Sequence, residues 1–377
     1  MNAFERESVK NLTEAGLGGK QYILSEDEKE GDRAEKDGFG YAVDPFHLSE
    51  KGLKSSSGGK YEGYLDTVGG FVYADKACRY AFNLAQKKLG VRFILDREAG
   101  RFVNFIQEKD GQVTGIQTAD GKVHPASLTI VACGGWTPGN VLPEMAGLCE
   151  TTAGSVATIQ IPESSPLRKR LLPSNFPVFQ WNMRGGENGS LYGFPVTETG
   201  IFKIGYRGTK YTNPQVFNGA PSPQNVRSVP ITKYTTPSIT GLPEKSAQVI
   251  QNFLDKYLPE FRQAGIGPHS YNTRLCWYTD SFDNQWVIDH VPDKPGVIVA
   301  TGGSGHAFKF LPLIGRLVVE RATQDISQES DLLRRLRWRA LKDGEKPYNK
   351  IMEGFDSKNS LQRVKMVNGG GDITARL

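Results

Sequence analysis

Apolar residues recur at Ala74, Ala77, Cys78, Ala81, Leu84, Ala85 and Leu89, a spacing of three and four that places them on one face of a helix. Gly90 stops that helix, and the apolar run VRFIL that follows, residues 91–95, predicts a strand. RFVNFIQ, VTGIQT and KVHPASLTIVA are then separated by Asp110-Gly111 and Asp120-Gly121, pairs suited to tight hairpins, so a small antiparallel meander is expected. In LTIVACGGWTPG an apolar strand ends on Gly134 and Gly135 beside Trp136, where the lack of side chains lets another backbone or a flat ligand approach.

From residue 151 to about 240 the pattern changes to short β-prone runs, SVATIQI, FPVFQW, SLYGF and GIFKIGY, with Pro-rich connections. This predicts a mostly antiparallel sheet in a second domain that forms a pocket wall. In SAQVIQNFLDKYL, residues 246–258, Val249, Ile250, Phe253, Leu254, Tyr257 and Leu258 share one helical face. A strand in NQWVIDHV and a second apolar run, GVIVA, lead into TGGSGHAFKFLPLIG, residues 301–315. Strand, glycine turn and helix in that order expose consecutive N–H groups where a helix dipole favours an anion, although helix packing alone uses the same glycines. Residues 1–60 are polar and weakly periodic, with a charge run at SEDEKEGDRAEKDG and a loop at KSSSGGK, and are expected to be irregular. No internal repeat is visible.

The 377 residues are enough for two interleaved domains. Forty-six basic and 41 acidic residues leave a net charge of +5, and no basic stripe of the kind that tracks nucleic acid is present. The densest basic run, LLRRLRWRALK at 332–342, reads as a solvated helix face. Cys78, Cys133, Cys149 and Cys276 are too sparse for a disulfide framework and lack the CxxC spacing of a zinc site, which suits a reducing compartment and no metal. No apolar run approaches the roughly 20 residues of a membrane helix, and MNAFERESVK lacks the apolar core of a secretory signal, so a soluble intracellular protein is expected. The final Ala375-Arg376-Leu377 is a conservative variant of the SKL peroxisomal address, presented on the Gly-rich tail VNGGGDIT. The expected location is therefore the peroxisome, by way of its import receptor, and otherwise the cytoplasm.

Seven segments in order carry a family resemblance: GGFVYADKA, TIVACGGWTPGNVLPEMAGL, VATIQIP, LYGFP followed by FKIGY, RLCWYTD, GGSGHAFKFLPLIG and GEKPYNKIMEG. Residues 61–355 resemble the FAD-dependent amine oxidases of the D-amino-acid-oxidase superfamily, in the branch of sarcosine, pipecolate, saccharopine and fructosyl amino acid oxidases. The last segment looks most like the fungal fructosyl amino acid and saccharopine types. The resemblance implies an α/β plus antiparallel β fold. An FAD-binding Rossmann-like domain (61–150 and 270–345) would interleave with a mostly antiparallel substrate domain (151–269), flanked by an irregular remnant (1–60) and a C-terminal tail (346–377). The implied reaction is oxidation of the secondary amine of a small amino acid derivative to an imine, with dioxygen reduced to hydrogen peroxide.

The resemblance also assigns residues. Cys276 matches the position that tethers flavin through a thioether, where an isolated cysteine would ordinarily be a small buried hydrophobe. Lys203 matches the lysine that activates dioxygen by electrostatic preorganisation, the plain alternative being an outward lysine on an edge strand. Strand alternation places Lys203 with Ile201 on one face and Phe202 with Ile204 on the other. Lys309 matches a lysine that pairs with the substrate carboxylate, and Tyr192 a tyrosine of the substrate cavity. Gly302, Gly303, Ser304, Gly305 and His306 are implied to border the flavin ring and ribityl chain, the alternative for His306 being a satisfied core histidine. Arg207 stands where sarcosine oxidases carry a histidine, which argues against sarcosine and suits a longer or more acidic substrate.

One family element has no match. Members begin with a βαβ unit whose GxGxxG turn binds the adenosine half of FAD, and the nearest sequence here, AGLGGKQ at 15–21, lacks the last glycine and a preceding apolar strand. An N-terminal arginine that serves the substrate carboxylate is also unmatched. The chain thus resembles a member lacking its first unit, and is expected to leave backbone groups unpaired and apolar faces uncovered. The competing expectation is a flavin-free, inactive homologue that acts as a binding protein. A nicotinamide-dependent enzyme is disfavoured for want of a second dinucleotide site.

Overall fold

The alternation in SVATIQI and GIFKIGY becomes two long neighbouring strands, and the site is built around them. In the computed structural model the described residues are 1–48, 50–53, 60–183, 185–217, 225–236, 241–323, 329–342, 344–345 and 358–367. The terminal Ala375-Arg376-Leu377, most of GEKPYNKIMEG and nearly all of the glycine-rich tail lie outside them.

The longer helices are α1 (Ala3–Leu12), α2 (Lys29–Lys36), α3 (Ala74–Lys88), α4 (Glu244–Tyr257) and α5 (Leu311–Thr323). The principal strands are β1 (Phe102–Gln107), β2 (Val113–Thr118), β3 (Val123–Pro125), β4 (Thr129–Val131), β5 (Cys149–Gln160) and β6 (Phe179–Trp181). They continue with β7 (Leu191–Phe194), β8 (Ile201–Tyr211), β9 (Tyr271–Ser281), β10 (Val287–His290) and β11 (Val297–Thr301).

Five of these strands form the expected antiparallel sheet, in the order β9-β5-β8-β7-β6. Its inner face is the main core: Ile159, Phe202, Ile204, Tyr206 and Leu191 pack against Ile250, Phe253, Leu254 and Leu258, the apolar stripe of α4. The strand carrying RLCWYTD is therefore an edge of this sheet, paired with β5 from Tyr271↔Ile159 to Ser281↔Cys149. The resemblance counts this strand with the FAD-binding segments at 270–345, and its β-branched and aromatic side chains suit the long antiparallel ladder it makes with β5. The meander β1-β2-β3 forms as expected, and KVHPASLTIVA splits between it and β4. A second small sheet, β10-β11-β4, holds a parallel pair, Val297↔Thr129 to Val299↔Val131.

Three expectations need correction. Residues 91–95 form no strand, because no neighbouring strand is present among the described residues to satisfy their backbone, and Leu95 is 74% exposed. On the same account α3 forms with its periodic stripe intact yet buries none of its residues, and Ile130 on the edge strand β4 is 48% exposed. Residues 1–60 are not wholly irregular. Asn2 and Glu5 make a reciprocal capping box that starts α1, and Tyr22, Leu24, Ala34, Val43 and Tyr61 form a small separate core. The basic run at 332–342 is not a free solvated face either: Arg337 pairs with Glu329 at 2.5 Å and Arg339 with Asp283 at 2.6 Å, tying the segment back to the β10 region.

Candidate active site

On the outer face of the five-stranded sheet, strand alternation aligns Arg274, Cys276 and Tyr278 of β9. Lys203 and Gly205 of β8 and Tyr192 and Phe194 of β7 share that face, with Lys203 opposite Phe194 and Gly205 opposite Tyr192. Two glycines make the floor flat. A Cβ on Gly205 would meet Cζ of Tyr192 at 2.3 Å, and one on Gly154 would meet Cε2 of Tyr278 at 2.9 Å, so each phenol ring lies directly over a glycine.

The GGSGH turn closes one end of this face. Ser304 donates its N–H to Thr279 O at 2.9 Å, and its hydroxyl accepts the Ser281 N–H at 3.2 Å. Gly302, Ser304 and Gly305 all have positive φ, at 72°, 48° and 77°, a left-handed path for which glycine carries little steric cost. A Cβ on Gly305 would lie 2.7 Å from an Nη of Arg207 and 3.2 Å from Tyr278, so a larger residue there would displace the guanidinium. The helix that follows starts only at Leu311, after a 3-10 turn at Phe308–Phe310, so the glycines serve the sheet face rather than the helix terminus. His306 is half-buried, bonds Asn284 O at 2.9 Å and stacks on Trp286.

Burial sets the electrostatics. Desolvation lowers the pKa of Lys203, with the neighbouring Arg274 adding to the effect, and its ammonium lies 5.1 Å from the Phe194 ring. Desolvation raises both Tyr192 and Tyr278, so both phenols stay protonated donors at neutral pH. Two residues along β9 from Tyr278, fully buried Asp280 accepts from Thr152 at 2.6 Å and pairs with Lys210. Lys309 is placed differently from the others. It is exposed on the 3-10 turn, with its ammonium 5.5 Å from the ring of adjacent Phe310.

Lys203, Tyr192, Cys276, Arg207 and the 302–305 turn thus come together, whereas Lys309 and His306 make their contacts elsewhere. Tyr278, Arg274 and the Asp280–Lys210 pair were not picked out from sequence. The i±2 rule applied to Cys276 would have found the first two, since a strand puts alternate residues on one face.

A profile of the FAD dependent oxidoreductases matches residues 19–321, and the chain belongs to that family. It is 28% identical over 302 residues to L-saccharopine oxidase of Schizosaccharomyces pombe, covering 74% of this chain and 65% of that protein. Against human peroxisomal sarcosine oxidase it is 25% identical over 265 residues, covering 68% and 57%. The chain therefore spans less than two thirds of the length of these relatives. Its fold resembles the solved fructosyl peptide oxidase from E. terrenum with a TM-score of 0.71 at 26% identity, covering 96% of this chain and 74% of that one.

The family's cofactor, FAD, can be tested against the residues present. Asp280 Oδ1 and Arg207 Nε, on the strands of this face, are buried without a hydrogen-bond partner among the described residues. Unpaired buried polar atoms are costly, and a planar ring with polar edges seated over the tyrosine floor would satisfy such groups. The residues present fit the flavin-ring half of the cofactor. No GxGxxG turn occurs in the sequence to hold the adenosine half.

Proposed function

We propose that this chain carries the flavin-ring and substrate side of an FAD-dependent oxidase. The reaction converts the CH–NH group of an amino acid derivative to an imine, and dioxygen to hydrogen peroxide. Saccharopine, pipecolate and fructosyl amino acids are the candidate substrate types. The observation that carries this reading is the convergence of Lys203, Cys276 and Tyr192 on one glycine-floored sheet face beside the 302–305 turn.

FAD, when bound, supplies the two-electron acceptor for amine oxidation and the donor to dioxygen. Cys276, half-buried at the centre of the face, would hold the ring covalently, and Ser304 with its flanking glycines would border it. Lys203 offers a fixed cation, with no ion pair among the described residues, where charge develops on dioxygen. Tyr192 and Tyr278 wall the substrate side and donate hydrogen bonds. Peroxisomal import through Ala375-Arg376-Leu377 would suit a peroxide-forming enzyme; removing these three residues should disperse the puncta of a fluorescent fusion, and unchanged puncta would reject the address.

The test of the reaction is amine-dependent peroxide formation by the purified flavin-loaded protein. Saccharopine, pipecolate and a fructosyl amino acid should be tried in turn, each with anaerobic bleaching of the flavin absorbance. Bleaching by at least one of them, with peroxide on admitting air, is expected. A flavin-loaded protein that none of the three bleaches would reject the amine oxidase reading and favour the binding-protein alternative.

A further inference from the structure

The segment that joins the small N-terminal core to α3 crosses onto the site face. Asp66 pairs with Gln21 and the Thr67 N–H donates to Lys20 O at 3.1 Å, so the chain leaves that core at this point. Gly69 and Gly70 follow, and Phe71 then sets its ring edge-on against Phe194 of β7, with centroids 6.0 Å apart. Phe194 in turn touches two groups of the candidate site. Its ring lies 5.8 Å from that of Tyr192 and 5.1 Å from the ammonium of Lys203, its direct cross-strand neighbour. Phe71 is not carried there by helix packing. Val68 and Val72 beside it are 48% and 53% exposed and α3 buries none of its residues, yet Phe71 is half-buried. The ion pair that accompanies it, Lys76 to Glu198 at 2.9 Å, has both side chains more than half exposed and adds little by itself. The ring contact is therefore what seats the segment on the face.

A cation acts more strongly on developing negative charge where water is excluded than where water screens it. Lys203 is half-buried, and desolvation is the leading cause of its lowered pKa. Two groups of β9 also act on it: Cys276 raises the value and Arg274 lowers it. On β7 the titratable group is Tyr192, on β5 the residue opposite Lys203 is Thr158, and beyond Phe71 come Tyr73 and Lys76. Resting on the amine-oxidase reading, we propose that Phe71 is a positioning residue for the dioxygen half of the reaction, holding Phe194 beside Lys203 and keeping bulk water from the ammonium. Phe71 itself touches neither substrate nor dioxygen in this role. Its contribution passes through Phe194 to the strength of the Lys203 charge.

The experiment follows the Lys203 ammonium directly, by NMR titration of the protein as isolated with its lysines isotope-labelled at Cε. The Lys203 signal is the one missing from Lys203→Met. Phe71→Ala should raise the midpoint of that signal's titration toward those of the exposed lysines, whereas Phe71→Leu, which keeps an apolar cover, should hold it near the original. In the flavin-loaded protein Phe71→Ala should slow reoxidation by dioxygen about tenfold, a part of the loss expected on removing the charge, and move its alkaline decline to higher pH. Anaerobic bleaching by substrate should keep its rate. Unchanged thermal melting establishes that the variant is folded, and Phe71→Val carries the same test if Phe71→Ala does not fold. A Lys203 midpoint that stays put in a folded variant would overturn the proposal. So would a midpoint that moves while reoxidation and its pH profile do not. Failure of the oxidase reading looks different: the Lys203 titration still answers to Phe71, while no amine yields peroxide.

Discussion

Replacing Lys203 by methionine should lower peroxide formation from the flavin-loaded protein on the order of 100-fold, the scale on which a single preorganised electrostatic group contributes to catalysis. The methionine side chain keeps the volume and apolar stem that pack beside Phe194 but removes the charge. Phe202 and Ile204, on the opposite face of the strand, are untouched, so stability should hold. The loss should fall on the reaction with dioxygen, and anaerobic bleaching by substrate should proceed at close to the original rate. Burial lowers the pKa of Lys203, so the cation is lost at a lower pH than for a free lysine. The dioxygen reaction should therefore slow as pH rises through that lowered value, and the methionine variant should lack this alkaline decline. Stopped-flow reoxidation of the reduced protein across pH measures both; a variant that reoxidises as fast as the unaltered protein would remove Lys203 from the mechanism.

The second large effect concerns folding. Arg321, almost fully buried near the end of α5, pairs with Glu329, and it also donates to Ile288 O and Leu333 O at 3.2 Å each. Glu329→Ala should cost about 3 kcal/mol, because it leaves an interior guanidinium with Asp289, 3.3 Å away, as its remaining counter-charge among the described residues. Desolvation pushes the Glu329 carboxyl up, but hydrogen bonds from Arg337 and Arg321 outweigh it and hold the group below its usual 4.5. Its contribution is therefore fully present above about pH 4.5 and fades as pH falls through the lowered folded value. Denaturant melts of the two proteins should differ most near neutrality and converge in acid. A constant difference down to pH 3 would assign the loss to packing instead.

How much of this was readable in advance depended on whether an element carries its own partner. The stripe on α4 and the alternation in β5 and β8 meet each other across the core, so pattern alone located them. VRFIL carries an equally plain strand pattern but finds no neighbour among the described residues, and apolar character does not make a strand without a ladder. The reciprocal caps of Asn2 and Glu5 start a helix in a segment whose polarity and weak periodicity predicted irregular chain. For the site, family resemblance located Cys276, Lys203, Tyr192 and the 302–305 turn, and their gathering on one face follows from strand parity. The exposure of Lys309 was not legible, since the side chain's direction is set by a 3-10 turn whose start the glycines do not mark. That Arg207 has no ion pair among the described residues was not legible either. It depends on which distant acids the fold brings near, and Asp280 is committed to Lys210.

The central claim is that a flavin ring rests on the sheet face that carries Cys276. Mass analysis of the tryptic peptide containing Cys276, from protein expressed with ample riboflavin and precipitated in acid, tests it most directly. The account predicts that this peptide carries the added mass of a flavin and that Cys276→Ser loses it along with the yellow colour of the pellet. An unmodified Cys276 peptide from protein that still holds tightly bound flavin would contradict the attachment, and a colourless protein with no affinity for FAD would contradict the site itself.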